Sequence, residues 1–192
     1  MDGQRVLVTG GAGFIGSNLA HKLVEQGDKV KIIDNLYLGT EDNVPEEAEF
    51  IHGTVLDHYR LKQAMENVDT VYHFAARSNS IMHQEQPAKS CRTNIEGFIN
   101  VVEAAERNNV DKVVYASTSS VYGEQEPPYT EKEPVNPLNR YAASKKSREE
   151  YAKTYSEIFE VNITGLRHFS VYGPREKHKE GFANIISQFK WK

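Results

Sequence analysis

The chain alternates short runs of β-branched and apolar residues with longer amphipathic stretches. The runs are RVLVTG (5–10), KVKIID (29–34), AEFIHG (48–53), DTVYHFAA (69–76), DKVVYAS (111–117) and VNITGLRHF (161–169). Most keep apolar side chains on successive residues, as strands covered on both faces do. Between them lie SNLAHKLVEQG (17–27), DHYRLKQAMENV (57–68) and EGFINVVEAAERNN (96–109). In these stretches apolar residues return every three to four positions, the period of a helix with one buried face. Strands and helices in alternation predict an α/β fold, a parallel sheet between two layers of helices. One stretch breaks the rhythm. GEQEPPYTEKEPVNPLN (123–139) is rich in proline and long for a simple connection, which marks a candidate functional loop.

Composition narrows the function classes. The 192 residues are 39% hydrophobic and 26% charged, ordinary for a globular protein, and no Gly/Ser linker divides them. A net charge of −4 without a basic block argues against nucleic acid or an anionic membrane as partner. A single cysteine, Cys91, excludes an intrachain disulfide and suits a reducing, cytoplasmic setting. No apolar run resembles a signal peptide or a membrane span, so the sequon at Asn162 is read as incidental. The seven histidines show no ligand spacing, and no metal is expected.

The first chemical signal is VTGGAGFIGSNL, where Gly10, Gly13 and Gly16 fall between a strand and a helix. Gly10 allows the tight turn, Gly13 lets backbone approach a pyrophosphate, and Gly16 lets helix and strand pack closely. The helix start then offers unpaired N–H groups to phosphates. Together with the alternating pattern this predicts a Rossmann-type, doubly wound, three-layer fold. Asp34 ends the second run, 24 residues after Gly10. A carboxylate there binds a ribose 2′-hydroxyl and repels a 2′-phosphate, which favours NAD over NADP. Tyr141 and Lys145 share one helical face. By composition about 0.7 such spacings arise by chance, so the pair decides nothing alone. Upstream, a hydroxyl cluster from Ser117 to Ser120 follows an apolar strand, at the edge where open α/β sheets place ligands.

TGGAGFIGSNL, HFAA, YASTSSVYG, YAASK and LRHFSVYGPRE occur in order and in register. Together they resemble the extended short-chain dehydrogenase/reductase family, in particular nucleotide-sugar epimerases and dehydratases of the UDP-glucose 4-epimerase type. The resemblance covers essentially the whole chain. It implies an NAD-binding domain over 1–170 and the beginning of an incomplete substrate-binding lobe over 171–192. It also implies an enzyme that oxidises a sugar carbon transiently to a ketose intermediate and re-reduces it on the other face, with NAD retained. Thr118, Tyr141 and Lys145 match the catalytic positions, with Tyr141 as base. A free phenol has a pKa of ~10, only about 0.1% ionised near neutrality, so about three units of lowering are expected from the Lys145 ammonium and the cationic nicotinamide. Matched cofactor-binding positions are Gly10, Gly13, Phe14, Ile15, Gly16, Asp34, Asn35, Gly39, Val55, Phe74, Ala75, Ala76, Asn94, Ser117, Tyr141, Lys145 and His168. Thr118, Tyr141 and Ser170 match the substrate-binding ones. Lys146 points about 100° from Lys145 and reads as a solvated charge.

Within the family, dehydratases usually carry an Asp-Glu pair after the catalytic threonine, and decarboxylases a glutamate two residues after it. Here Ser119 and Ser120 follow Thr118, which favours an epimerase. GPREKHKEG (173–181) resembles ADP-heptose epimerases, in which a lysine of this segment is a second base; Lys179 matches it, although an exposed charged loop is the better reading. Thr54 stands where an aspartate commonly meets the adenine, leaving Val55 and Asp57 for that contact. Ser170 replaces an asparagine that contacts the sugar nucleotide, and His168 replaces a tyrosine. The segment NIISQFKWK (184–192) looks like the first helix of the substrate lobe, so the chain is expected to bind NAD and turn over poorly. A homodimer through EGFINVVEAAE and YAASKKSREEYAK is implied, but their apolar faces equally serve a core. The alternatives are a non-catalytic NAD-binding module, a dehydratase, or a reductase using NADPH, which Asp34 disfavours.

Overall fold

The alternation of apolar residues within each strand sets the layers. In a computed structural model, which describes residues 3–159 and 161–191, six strands form one parallel sheet in the order β3-β2-β1-β4-β5-β6. They are β1 (Arg5–Thr9), β2 (Lys29–Asp34), β3 (Glu49–His52), β4 (Thr70–His73), β5 (Lys112–Ala116) and β6 (Asn162–Leu166). All six lie within the runs picked out by hydropathy. Side chains of a strand alternate between faces. Val6 and Val8 of β1 therefore join Val30 and Ile32 of β2 on one face, against Ala20 and Leu23 of helix α1 (Phe14–Glu25). Leu7, Ile33, Val71 and Val113 point the other way. They meet Leu61 and Met65 of α2 (His58–Met65) and Val101 and Ala105 of a helix at Gly97–Arg107. Each fully buried leucine or isoleucine here contributes about 2–3 kcal/mol.

Between β4 and Gly97 the chain does something the hydropathy pattern did not announce. Two short helices, α3 (Ser80–Glu85) and α4 (Pro87–Cys91), lead into a π-helical turn, Arg92–Glu96, which runs straight into α5 (Gly97–Arg107). The segment SIMHQEQPAKSC has no apolar period, and Pro87 interrupts it. It is organised instead by a cap, Asn79 accepting from Met82 N at 2.9 Å, and by buried polar side chains. The long α6 (Arg140–Ile158) is capped by Asn139, whose side chain accepts from Ala142 N. It packs Ala152 against Phe98, Val102 and Tyr115. The proline-rich loop leading to it has no helix or strand between 123 and 139, and Tyr129 stacks on Tyr122 at 4.9 Å between ring centroids. A short helix, α7 (Ile185–Lys190), ends the described chain.

Parallel strands put all their carboxyl ends at one edge of the sheet. Thr9, Ile33 and His73 are in register there, and Tyr115 is level with His73. The loops after β1, β2, β4, β5 and β6 converge on that edge. No helix among the described residues is long and apolar enough to cross a membrane.

Candidate active site

These loops enclose one cavity of about 400 Å³. Its floor is the glycine-rich turn. Gly10 has φ of +71° and donates its N–H to Ile33 O at 2.9 Å; a Cβ there would lie 2.6 Å from Ala75 N. A Cβ on Gly16 would stand 2.3 Å from Gly10 O, so the start of α1 is pressed against the end of β1. Gly13 is the N-cap of α1 and brings no side chain to it, and its only close neighbour would be Gly10 O at 3.3 Å. The first-turn N–H groups therefore face the cavity unscreened, an arrangement suited to a diphosphate. Asp34, buried at the end of β2, accepts from Ala12 N at 3.1 Å and Leu36 N at 2.8 Å. Burial pushes its carboxyl up, and those N–H groups oppose the rise. The close-packed turn, bare helix start and strand-end acid fit a dinucleotide.

The opposite wall comes from β5 and α6. Tyr141 and Lys145 sit one turn apart and both line the cavity, with Lys145 only 2% exposed. Lys145 Nζ donates to Ala116 O at 2.8 Å and lies 5.8 Å from the Tyr141 ring centroid. Burial, with the Arg148 charge adding to it, depresses the Lys145 ammonium well below its ordinary value. The Tyr141 phenol is pushed up, chiefly by burial; Thr118 and then the Arg148 charge oppose this. Lys145 gives one of its three protons to a carbonyl, and the buried Arg148 is a further cation that favours the phenolate. Thr118 Oγ1 also accepts from Ser120 N at 3.2 Å and donates to Ser120 Oγ at 3.3 Å. Ser117 lines the cavity, but its hydroxyl turns to Glu149, which also holds Arg167 at 2.8 Å.

The fully buried Arg148 was not anticipated. Its Nε donates to Asn94 O and its Nη2 to Ala75 O at 3.2 Å, while Nη1 has no partner among the described residues. Burial brings its pKa down to about 10. A signal existed in the sequence: positions 141, 144, 145, 148 and 152 trace one helical face, and a charge at 148 falls on its buried side. Asn94 supports the site from outside the cavity. Placed among the cofactor-binding residues by resemblance, it is fully buried and does not line the cavity. Its Oδ1 accepts from Arg77 N at 2.8 Å, and its Nδ2 lies 3.0–3.1 Å from Arg77 O, His83 Nε2 and Ser144 Oγ. It acts behind the wall.

The other anticipated positions Phe14, Ile15, Asn35, Gly39, Val55, Phe74, Ala75, Ala76, His168 and Ser170 all line the cavity. The His168 ring sits 6.2 Å from that of Phe74. Asp57 does not line it, because its carboxylate caps α2 by accepting from Tyr59 N and Arg60 N. Lys179 differs from the largely exposed loop that carries it. Its side chain is 20% exposed, pairs with the buried Glu176 at 3.2 Å, and sits 5.5 Å over the Phe14 ring in the cavity wall. The segment carrying it is laid on the glycine turn by Asn18 Nδ2, which donates to Pro174 O, and by Asn43 Nδ2, which donates to Arg175 O.

A family model described as the NAD dependent epimerase/dehydratase family matches residues 6–190. UDP-N-acetyl-alpha-D-glucosaminuronate decarboxylase of Bacillus cytotoxicus is 35% identical, over 97% of this chain and 60% of its own length. The UDP-glucose 4-epimerase of Thermotoga maritima, solved with UDP-glucose, superposes with a TM-score of 0.92 at 32% identity, covering 97% of this chain and 62% of that one. That of Thermus thermophilus, solved as a complex with NAD, gives a TM-score of 0.87 at 36% identity, covering 91% and 58%. The chain spans about three fifths of the length of these relatives. With the glycine turn, the strand-end acid and the Tyr141–Lys145 pair at one sheet edge, the match over nearly its whole length makes this chain a member of the NAD-dependent epimerase/dehydratase family.

Proposed function

We propose that this chain carries the cofactor site and proton-transfer residues of a nucleotide-sugar epimerase of the UDP-hexose 4-epimerase type. The observation favouring this branch is the distribution of carboxylates. Asp34 is the sole acid among the described residues lining the cavity. It ends β2, whereas Thr118 follows β5, three strand spacings away, about 14 Å. Glu149, the nearest acid in sequence to Lys145, is held by Ser117 and Arg167 outside the cavity wall. Elimination or carboxylate chemistry beside the oxidised carbon thus lacks an acid, while deprotonation and reprotonation of one hydroxyl needs only a phenol.

In this reading the glycine turn and α1 hold the diphosphate, and Asp34 holds the adenosine ribose. A bound NAD would supply the hydride acceptor and donor for the sugar carbon. Thr118 aligns the sugar hydroxyl, and Tyr141 Oη removes its proton and later restores it. Lys145, anchored on Ala116 O, fixes the tyrosine's turn of helix and offers its remaining protons to a ribose. Ser170 and His168 line the sugar side. A sugar gripped by these residues alone, which match about three fifths of the relatives' length, would be loosely aligned and slowly turned over.

The test is to load the protein with NAD, add UDP-glucose, and follow reduced nicotinamide in the near ultraviolet and UDP-galactose by chromatography. Transient reduction with slow interconversion supports the epimerase. Tight NAD binding with no reduction by any nucleotide sugar would leave the non-catalytic module. Release of carbon dioxide from a UDP-uronate would move the chain to the decarboxylases. A second measurement addresses the cofactor. Asp34→Asn should shift the ratio of NAD to NADP affinity by about tenfold towards NADP in calorimetry, because the repelling charge is removed.

A further inference from the structure

Two residues with no role assigned above meet across the cavity. Tyr37 lies three residues beyond Asp34, on the loop after β2; Arg77 lies on the loop after β4. Arg77 Nη1 donates to Tyr37 Oη at 2.9 Å, and the guanidinium carbon sits 4.1 Å from the centre of the Tyr37 ring. The sheet order places β1 between β2 and β4, so the pair joins loops on either side of the glycine turn. The strands they leave are two spacings apart, about 10 Å. Both residues line the same cavity as Gly10, Gly13 and Gly16.

The two arms are braced independently. On one side Leu36 N donates to Asp34 Oδ1 and Tyr37 N to Asn35 Oδ1 at 3.2 Å. On the other, Asn94 clamps both the N–H and the carbonyl of Arg77. The side-chain contact between the arms is open to water, with Tyr37 50% exposed, while the Asn94 bonds that hold the Arg77 backbone are part-buried. A contact that served the core would be buried. This one is a solvent-open link between two loops that each keep hydrogen bonds of their own, so it can part and re-form over a ligand in the cavity without unmaking either loop.

We propose that the Tyr37–Arg77 pair is a clasp that closes across the dinucleotide bound on the glycine turn and slows its release. The inference rests on the cofactor assignment above and extends it to residence time. It serves the chemistry directly, because a cofactor lost between oxidation and re-reduction would strand an oxidised sugar. Arg77 also keeps N–H donors beyond the one given to Tyr37, available to a phosphate or ribose oxygen.

The experiment measures dissociation of NADH from the loaded protein by loss of its fluorescence on adding excess NAD. Arg77→Met and Tyr37→Leu should each speed release by about tenfold, and the double variant should be no faster than either single one, as expected for partners in one contact. Tyr37→Phe, which keeps the ring and loses the hydroxyl, should fall between them and the wild type. Thermal unfolding confirms that each variant is folded. Unchanged rates, or effects that simply add, would overturn the clasp alone. Failure of the wild-type protein to bind NADH would overturn the cofactor assignment and the clasp together.

Discussion

Replacing Tyr141 by phenylalanine should lower the rate at which a nucleotide sugar reduces bound NAD by about 10³-fold, within the 10²–10⁴ that a positioned base supplies. NAD affinity should stay within about twofold, since the ring and its packing remain. The change removes one oxygen from a half-buried side chain and leaves Lys145 on Ala116 O. The pH dependence gives an independent reading. Burial holds the phenol above its ordinary value, so it is largely protonated near neutrality. The wild-type rate of sugar oxidation should then climb about tenfold per pH unit as the phenolate fraction grows. In Tyr141→Phe that slope should disappear. A variant that kept the slope would move the base elsewhere.

The second large effect separates two glycines that a motif treats alike. Gly10→Ala combines a positive φ with a Cβ placed 2.6 Å from the Ala75 backbone. Left-handed strain of about 1–2 kcal/mol and overpacking of about 1–3 kcal/mol should together lower stability by about 2–5 kcal/mol, with NAD binding lost beside it. Gly13→Ala meets nothing closer than 3.3 Å, and its φ of −81° suits any residue. It should cost about 0.5–1 kcal/mol, from the lost N-cap glycine, while weakening NAD binding at least tenfold, because the methyl group narrows the approach to the helix start. Chemical denaturation and calorimetry on both variants distinguish the outcomes. Equal loss of stability in the two would show that Gly13 also serves packing.

Much of this was legible because strands and glycine turns write themselves locally. Six apolar runs gave six strands, and the spacing of Gly10, Gly13 and Gly16 carried its own geometry. Other features depended on contacts between segments far apart in sequence. Nothing near Asn94 reveals that its side chain is spent on Arg77, His83 and Ser144, nor that Asp57 is consumed in capping α2. Arg148 was overlooked because helical spacing reports which residues share a face, not which charge ends up buried near the phenol. Lys179 was read as solvated because its burial depends on Asn18, Asn43 and Glu176. Tyr37 and Arg77 are 40 residues apart, and only the sheet order makes them neighbours.

Asn94 carries one more implication. One side chain grips the Arg77 backbone with one hand and, through Ser144, steadies the turn of α6 whose first carbonyl belongs to Tyr141. Whoever re-engineers this loop to exchange one nucleotide cofactor for another will find the proton-moving tyrosine drifting with it. The two properties share a hinge pin and have to be redesigned as one.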